Sequence, residues 1–545
     1  MKFSNHSLKE KNVSNKSGVS LPAGSLYDTG YIHFVIPLLY FIILLFAAMT
    51  NRPIGAYELE TDFYWTYAPQ AKEFLQGNLV IDPYKGPVYQ IILALTGFLF
   101  KGDFFAAGKF INVLFAAVSL FFISKITASL SDLKTALLVT LLVSVNTYFI
   151  KFSYQPGTDM LFLAIYSSAV FIILKNDGNK VKNFFFAGVL SGTAYLTRYT
   201  ALSLILSVFL ILIFYYYKNY KSGDKPSFRE SVKLMSAYFL PVIAMAAVWG
   251  FICLRKTGSF FYNLNYLNTA LAVYRPENVR ADDWTLNYEN TFGSFADVVF
   301  RNSGQFFYKI FIENFSGYFI NDLSRLMPLF TGVIAAFGLI LFFVKFKSRP
   351  LNQKYFFLFS ILFYIQILFA FYSERFSLPL LPFYSFLIVN ILNYDFLQKY
   401  NFKFGKINLF NVSAVILISF NLILSYGFIK TDLNAVPVEV LNISEWVKKN
   451  RNENLSGKTI MSRKPQIAYY LDMKFEVIPY SESYEELYRN ILSKNADYLY
   501  LGFRESSILV PAVRNALLDY KNPPEGLEIV TFIPYPPSVL YKVKK

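Results

Sequence analysis

Three carboxylates stand at alternate positions in the short stretch "ELETD", at Glu58, Glu60 and Asp62. A carboxylate within hydrogen-bond reach of an acceptor hydroxyl can take its proton while a new bond forms, which is general-base chemistry. Alternate residues of an extended strand share a face, so the same spacing can also hold a divalent cation. As an alternative, Glu58 and Glu60 are solvated loop acids and Asp62 caps the helix that follows it.

Six further charged residues lie within or beside long apolar stretches. They are Lys109, Lys151, Asp159, Arg198, Glu374 and Arg375. Charges at membrane depth are costly and are usually functional or paired. Several cations at this depth indicate a buried anion, and a phosphate is the natural candidate. A structural ion pair of Lys109 and Asp159 is one alternative. Arg198 and Arg375 can also cap helix ends, and Lys151 can reach toward the membrane surface.

The composition predicts an α-helical polytopic membrane protein. Of the 545 residues, 54% are hydrophobic and 19% are aromatic, and apolar stretches of about the length that spans a bilayer recur along most of the chain. Cys253 is the single cysteine, which excludes internal disulfides and a cysteine metal cluster. Since His6 and His33 are the only histidines, a Ser-His-Asp site or a histidine metal site is not expected. We expect no cofactor, and the one metal alternative is the divalent cation described above.

The charges of the loops predict the topology, with about eleven transmembrane helices. The expected spans are 31–50, 104–124, 135–152, 159–174, 184–197, 200–217, 234–254, 326–344, 355–372, 378–392 and 407–427. The loops and the terminus assigned to the cytoplasm hold 21 Lys/Arg and 7 Asp/Glu, whereas the segments on the other side hold 27 of each sign. The net charge of +16 is therefore mostly the positive-inside bias of membrane insertion. No basic patch remains for a nucleic acid.

This topology divides the chain into three parts. Residues 1–30 form a cytoplasmic N-terminal tail, and residues 31–427 form a transmembrane domain with large outer loops at 51–103 and 255–325. Residues 428–545 alternate short apolar runs with an amphipathic helix, which predicts an extracytoplasmic soluble α/β domain. The chain is thus expected in the cell membrane, with its N-terminus in the cytoplasm and its C-terminal domain outside.

Two features of the first outer loop concern its contact with the membrane. Residues 88–100 are apolar but short, so we expect an interfacial or re-entrant segment there. An aromatic run, "FYWTY", follows Asp62 directly, and its helical spacing favours a helix that lies flat at the headgroups. Pro69 indicates a break or a helix start within this stretch. The run would hold Asp62 where a lipid phosphate and a hydroxyl from the water phase meet.

Several motifs, in their order along the chain, resemble those of the GT-C glycosyltransferases. The resemblance is to the branch of the protein O-mannosyltransferases and aminoarabinose–lipid A transferases, which includes glycosyltransferase family 39. It rests on the acidic motif at Asp62, "KGPVY" at 85–89, "GD" at 102–103 followed by Lys109, Asp159 in "YQPGTDMLFLA", Arg198 in "AGVLSGTAYLTRYTALSL", and Glu374 and Arg375 in "YSERFSLPLLPFYSFL". Many relatives carry Asp-Glu where this chain has Asp62-Phe63, and Lys-Pro-Pro where it has Lys-Gly-Pro.

The resemblance implies an inverting transfer of a sugar from a polyprenyl-phosphate donor to an acceptor hydroxyl of a protein, lipid or glycan, on the outer face of the membrane. It implies Asp62 as the general base, with Glu60 in reserve. The leaving lipid phosphate needs charge stabilisation, which Arg375 and Arg198 supply as planar donors. These related enzymes are thought to work without a donor-site metal.

The resemblance also gives roles to residues around these groups. Lys85 and Lys109 would add point charges beside the phosphate, and Tyr64 would contact the substrate. Glu374 would orient Arg375, and Asp159 would orient a neighbouring cation. A transporter or flippase of lipid-linked saccharides is the alternative function, because it too needs many spans and charges near one leaflet. Inverted repeats would favour the transporter, and the sequence shows none.

Overall fold

The computed structural model describes residues 31–51, 62–175, 179–221, 228–275, 288, 291–392, 409–434, 436–450 and 454–544. The predicted tail 1–30 and the carboxylates Glu58 and Glu60 lie outside the described residues.

Helices predominate among the described residues up to Asn450. The first ten are α1 (Ile32–Asn51), α2 (Ala68–Leu75), α3 (Val88–Leu99), α4 (Phe104–Leu130), α5 (Leu133–Ser144), α6 (Thr147–Tyr154), α7 (Asp159–Leu174), α8 (Lys180–Tyr195), α9 (Leu202–Lys221) and α10 (Phe228–Thr257). The next ten are α11 (Asn265–Tyr274), α12 (Phe295–Arg301), α13 (Ser303–Tyr308), α14 (Phe315–Asn321), α15 (Leu329–Val344), α16 (Leu351–Ile367), α17 (Glu374–Ser377), α18 (Leu381–Leu392), α19 (Leu409–Leu433) and α20 (Val438–Asn450).

The polytopic, α-helical fold class is confirmed. In the described part of the chain, six helices are long and apolar enough to cross a membrane: Ile32–Thr50, Phe104–Leu130, Tyr199–Tyr217, Arg229–Thr257, Glu374–Leu392 and one that begins at Asn411. The bent pair α5–α6 makes a seventh if it counts as one span. Helices also occupy the other predicted spans, but several are shorter, so the number of eleven spans stays a prediction.

The break between α5 and α6 has a clear local cause. The two helices meet at 64°. Asn146 lies between them, and its side-chain oxygen accepts hydrogen bonds from the backbone N–H groups of Tyr148 and Phe149, which starts a new helix. The amide of Asn146 donates to the carbonyl of Leu326, at 2.8 Å. The second half of this span therefore begins in a new direction.

The aromatic run after Asp62 forms a helix, but the predicted contact with lipid is wrong for most of it. Phe63–Tyr67 is a π-helical turn that continues into α2, with Pro69 at its first turn. Phe63, Tyr64 and Tyr67 are buried in the main core of the helical domain, and Trp65 is partly exposed. These rings therefore anchor the loop to protein. Other parts of the chain cover the face of this helix that was expected to contact lipid.

The C-terminal part contains a five-stranded sheet with helices around it. Its strands are β1 (Thr459–Ser462), β2 (Lys474–Val477), β3 (Tyr498–Gly502), β4 (Leu527–Pro534) and β5 (Pro537–Val543). Its helices are α21 (Gln466–Leu471), α22 (Tyr484–Ser493), α23 (Phe503–Leu509) and α24 (Arg514–Leu517). The strand order is β2-β1-β3-β5-β4, with β2, β1 and β3 parallel and β5 antiparallel to both of its neighbours. The predicted amphipathic helix is α22, which Ser483 caps.

Candidate active site

Asp62 lies at the start of the π-helical turn, and its carboxylate faces two cations. Its Oδ2 atom accepts hydrogen bonds from Nζ of Lys85, at 3.1 Å, and from Nη2 of Arg375, at 3.0 Å. The side chain makes no capping hydrogen bond to the helix that follows. The capping role considered for Asp62 is therefore not what the structure shows, because the carboxylate points to charges on distant parts of the chain.

A second carboxylate extends this ion pair into a cluster. Asp159, the first residue of α7, accepts a hydrogen bond from Arg198, and its Oδ1 also lies 3.7 Å from Nε of Arg375. Arg375 therefore stands between Asp159 and Asp62. We call Asp62, Lys85, Asp159, Arg198 and Arg375 the charge cluster. It holds three cations and two carboxylates, which leaves one net positive charge.

The exposure of the two carboxylates differs. The side chain of Asp159 is 8% exposed, whereas that of Asp62 is 38% exposed. Asp159 is therefore placed to hold the two arginines, and Asp62 is the carboxylate that an incoming molecule can reach.

A close backbone contact brings the loop of Lys85 to the turn that carries Arg198. A Cβ atom on Gly86 would overlap the carbonyl oxygen of Leu196, so only glycine fits there. The N–H of Val88 donates to the same carbonyl, at 3.2 Å. The short "KGPVY" loop is thus fixed against the end of α8, and Lys85 and Arg198 are brought to one end of the helical bundle.

Aromatic rings fix the orientation of the cations. Nζ of Lys85 lies 4.4 Å from the centre of the Tyr67 ring. The guanidinium of Arg198 lies 5.7 Å from the ring of Phe162 and 5.4 Å from that of Phe376, and Arg375 also lies 5.4 Å from Phe376. Such cation–π contacts hold a charge without neutralising it. Tyr67 belongs to the aromatic run that the sequence singled out, whereas the contacts of Phe162 and Phe376 with the arginines were not predicted, because their positions are also those of ordinary core residues.

The two cations set the proton affinity of the exposed carboxylate. Burial would raise the pKa of Asp62, but Lys85 and Arg375 outweigh it and hold the pKa of this carboxyl well below its usual range. Burial would likewise lower the pKa of Lys85, whereas Asp62 and Tyr67 raise it above the usual value of lysine. Asp62 is therefore ionised and Lys85 is charged near neutral pH.

The structure corrects the role expected for Glu374. Its carboxylate pairs with Arg325, at 2.6 Å, and not with Arg375. Glu374 and Arg375 are neighbours at the start of a helix, so their side chains point in different directions. Arg325 comes from the helical segment before α15, a partner that the sequence did not suggest. The carboxylates that orient Arg375 are Asp62 and Asp159 instead.

Two further predicted residues within the described part of the chain, Lys109 and Tyr64, make contacts outside the charge cluster. Lys109 is buried, donates to the carbonyl of Ala48 at 3.0 Å, and lies 4.9 Å from the ring of Phe105. Tyr64 is buried against Phe105 and against two tyrosines of the C-terminal domain. The structure therefore places Tyr64 in a contact between domains, and contact of its ring with a substrate stays a prediction, as do the roles of Lys109 and Glu60.

A small cavity opens within the charge cluster. It is lined by Asp159, Arg198, Arg375, Thr200, Phe162, Phe363, Phe376, Leu378 and Pro379. Its volume of about 10 Å³ admits about one water molecule, so a larger anion enters only if the lining moves. The two guanidinium groups and the threonine hydroxyl of this lining are the kind of donors that bind an anion. Among the described residues, no three acidic, histidine or cysteine side chains come together as a metal site would require. The divalent-cation alternative stays a prediction, since two of its three carboxylates lie outside these residues.

The comparisons with known proteins agree with the fold. Residues 84–252 match the family model described as dolichyl-phosphate-mannose-protein mannosyltransferase. This stretch runs from the Lys85 loop into α10 and includes Asp159 and Arg198. A comparison with curated proteins found no match.

Solved structures resemble the whole chain at low identity. ArnT from Cupriavidus metallidurans matches with a TM-score of 0.54 and 10% identity, over 93% of this chain and 97% of that one. ArnT bound to undecaprenyl phosphate matches with a TM-score of 0.52 and 11% identity, over 94% and 98% of the two chains. The oligosaccharyltransferase AglB from Archaeoglobus fulgidus, in complex with an inhibitory peptide and a dolichol-phosphate, matches with a TM-score of 0.53 and 11% identity. That match covers 90% of this chain and 71% of AglB.

The resemblance stated from the sequence is thereby confirmed at the level of the fold: this chain has the fold of the GT-C glycosyltransferases.

Proposed function

We propose that this protein transfers a hexose or a pentose from a polyprenyl-phosphate-linked donor to an acceptor hydroxyl, with inversion at the anomeric carbon. The observation that carries the proposal is the position of Arg375 between Asp62 and Asp159. One guanidinium there contacts a partly exposed carboxylate that can act as a base, and together with Arg198 it also lines the small cationic cavity. The base and the phosphate site are therefore adjacent.

The charge balance of the cluster supports a phosphodiester ligand. The cluster carries one net positive charge, and a sugar phosphodiester carries one negative charge. As the bond from the anomeric carbon to the phosphate oxygen breaks, the leaving lipid phosphate gains a second negative charge. Arg198 and Arg375 stabilise this charge as planar donors, and Lys85 adds a point charge.

Asp62 acts on the acceptor hydroxyl. Its carboxylate takes the proton of the acceptor hydroxyl while the hydroxyl oxygen bonds to the anomeric carbon on the face opposite the phosphate. A strongly lowered pKa makes Asp62 a weak base in the empty site. A bound phosphate competes for Arg375 and Lys85, which weakens their hold on Asp62 and raises its basicity.

The charge distribution of the loops supports a site on the outer face. The cluster lies where α7, α9 and the span Glu374–Leu392 begin and where α8 ends, and the basic loops lie at the opposite ends of these segments. The positive-inside rule puts those loops and the N-terminus in the cytoplasm and the cluster with the C-terminal domain outside. The acceptor is then a protein, lipid or glycan outside the cytoplasm.

The proposal is tested by transfer of radiolabelled sugars in membranes that contain the full chain. Polyprenyl-phosphate sugars of several kinds are compared with the corresponding nucleotide sugars. We expect label to enter an acceptor from at least one lipid-phosphate donor and from no nucleotide sugar. Movement of intact lipid-linked saccharide across the bilayer, without transfer of the sugar, would favour the transporter instead.

A further inference from the structure

The three residues that follow Asp62 all contact the C-terminal domain. The ring of Phe63 lies 6.3 Å from that of Tyr469, and the ring of Tyr64 meets Tyr469 edge to face at 4.9 Å. The ring of Trp65 lies 5.7 Å from that of Phe475 on β2. The helical turn that carries Asp62 therefore packs against this domain through its first three residues.

The domain meets this turn through the short helix α21, which has two apolar faces. Ile467, Ala468 and Leu471 lie in the hydrophobic core of the C-terminal domain. Tyr469 instead packs against the main core of the transmembrane part, in which Phe63 and Tyr64 are buried. A shift of α21 would therefore disturb both cores at once.

Polar contacts at the edge of this packing fix the position of α21 relative to the turn after Asp62. The hydroxyl groups of Tyr64 and Tyr470 lie 3.3 Å apart. Lys72 on α2 donates to Asp472 at 3.2 Å, and its ammonium lies 5.2 Å from the ring of Tyr469. An exposed ion pair of this kind contributes little by itself, so the aromatic rings supply most of the contact.

We infer that Tyr469 and Tyr470 are positioning residues, through which the C-terminal domain holds Asp62 at its place beside Arg375. This rests on the proposed function, in which Asp62 is the base. Lys85 and Arg375 fix the carboxylate of Asp62, whereas the backbone beneath it is held by the aromatic contact with α21. A misplacement of about 1 Å at a catalytic group can cost on the order of 100-fold in rate. The C-terminal domain thus affects the rate of transfer without contacting the reacting atoms.

The test uses the full chain in lipid nanodiscs and compares Tyr469→Ala, Tyr469→Phe and the wild type. Tyr520→Ala is the matched control, because Tyr520 stacks on Phe532 of β4, at the other edge of the sheet from β2. Two quantities are measured: hydrogen exchange of the peptide 62–75, and the kcat and KM for the lipid-phosphate donor.

In Tyr469→Ala we expect amide exchange in 63–71 to be at least about tenfold faster, because local protection follows local packing. We expect kcat to fall by about tenfold or more, with a KM for the donor within about twofold of the wild type, since the arginines stay in place. Tyr469→Phe keeps the ring and should restore both quantities, and Tyr520→Ala should change neither. If Tyr469→Ala does not fold, Tyr470→Phe removes only the hydroxyl contact and should still speed exchange in this peptide.

Unchanged exchange in Tyr469→Ala, or faster exchange with an unchanged kcat, would overturn the inference. A general loss of folding in both Tyr469→Ala and Tyr469→Phe, with unchanged exchange in Tyr470→Phe, would also overturn it. If the wild type transfers sugar from no lipid-phosphate donor, the proposed function fails separately. The hydrogen exchange then still decides whether the domain holds the turn after Asp62.

Discussion

The guanidinium of Arg375 donates a hydrogen bond of 3.0 Å to the carboxylate of Asp62. The two residues are more than 300 positions apart in the chain, and they come from different segments between the helices of the bundle. Their pairing joins the candidate base to the candidate phosphate site, and it gives the site a dependence on pH that can be measured.

The first prediction concerns that dependence on pH. Because Lys85 and Arg375 hold the pKa of Asp62 in the donor-free protein well below its usual range, kcat/KM for the donor should not fall until the pH drops below the usual range of aspartate, about 4. Removal of a cation raises the pKa of a neighbouring carboxyl. In Lys85→Met, the acid limb of the rate profile should therefore move to higher pH. Lys72→Met is the control and should leave the limb in place.

A second prediction concerns the planar guanidinium group of Arg198. In Arg198→Lys the charge stays, but the stacking between Phe162 and Phe376 and the forked contact with a phosphate are lost. We expect the KM for the lipid-phosphate donor to rise by about tenfold, the effect of losing one good charged hydrogen bond. Steady-state kinetics at varied donor concentration measure this. Arg514→Lys, in the C-terminal domain, is the control, and an equal effect of both substitutions would contradict the assignment.

A third prediction compares two carboxylates near Arg375. Asp159 contacts both Arg198 and Arg375, whereas Glu374 contacts Arg325. Asp159→Asn should therefore lower transfer much more than Glu374→Gln, by about tenfold or more, because it frees two arginines at once. The same transfer assay compares the two variants. A larger loss in Glu374→Gln would restore the role that the sequence suggested for this residue.

A fourth prediction concerns the loop of Lys85. In Gly86→Ala the added methyl group would meet the carbonyl of Leu196, so the loop must move away from the end of α8. Such overpacking costs about 1–3 kcal/mol, and thermal unfolding in detergent should show a lower midpoint together with loss of transfer. Gly427→Ala in α19 is the control, because no atom of the described residues lies within 4 Å of the place that its methyl group would take. Helix propensity predicts that this control is neutral or slightly stabilising.

Members of the charge cluster could be predicted from the sequence, because charged residues are rare in the apolar stretches of a membrane protein. Asp159, Arg198 and Arg375 stood out against apolar stretches, and all three lie together in the structure. Asp62 stood out among the alternating carboxylates of "ELETD", and Lys85 came from the resemblance of short motifs. Which pairs would form was not predictable, because it depends on how distant helix ends meet in space.

Glu374 and Tyr64 show why the rest could not be read from the sequence. The partner of Glu374 is Arg325, which lies some 50 residues earlier in a segment that the sequence assigned to a loop and its border. The aromatic run after Asp62 has the spacing of a helix at a membrane surface. It is buried because α21, about 400 residues later, packs on it.

In the proposed mechanism, Asp62 takes the proton of the acceptor. The most direct measurement is transfer in membranes from a radiolabelled polyprenyl-phosphate sugar, compared between the wild type, Asp62→Asn and Glu528→Gln, which changes an exposed carboxylate on β4. The asparagine keeps the size of the side chain but cannot take a proton. We predict that Asp62→Asn lowers the rate by about 10²-fold or more, and that Glu528→Gln keeps the rate of the wild type. Full transfer activity in Asp62→Asn would contradict the role of Asp62 as the general base.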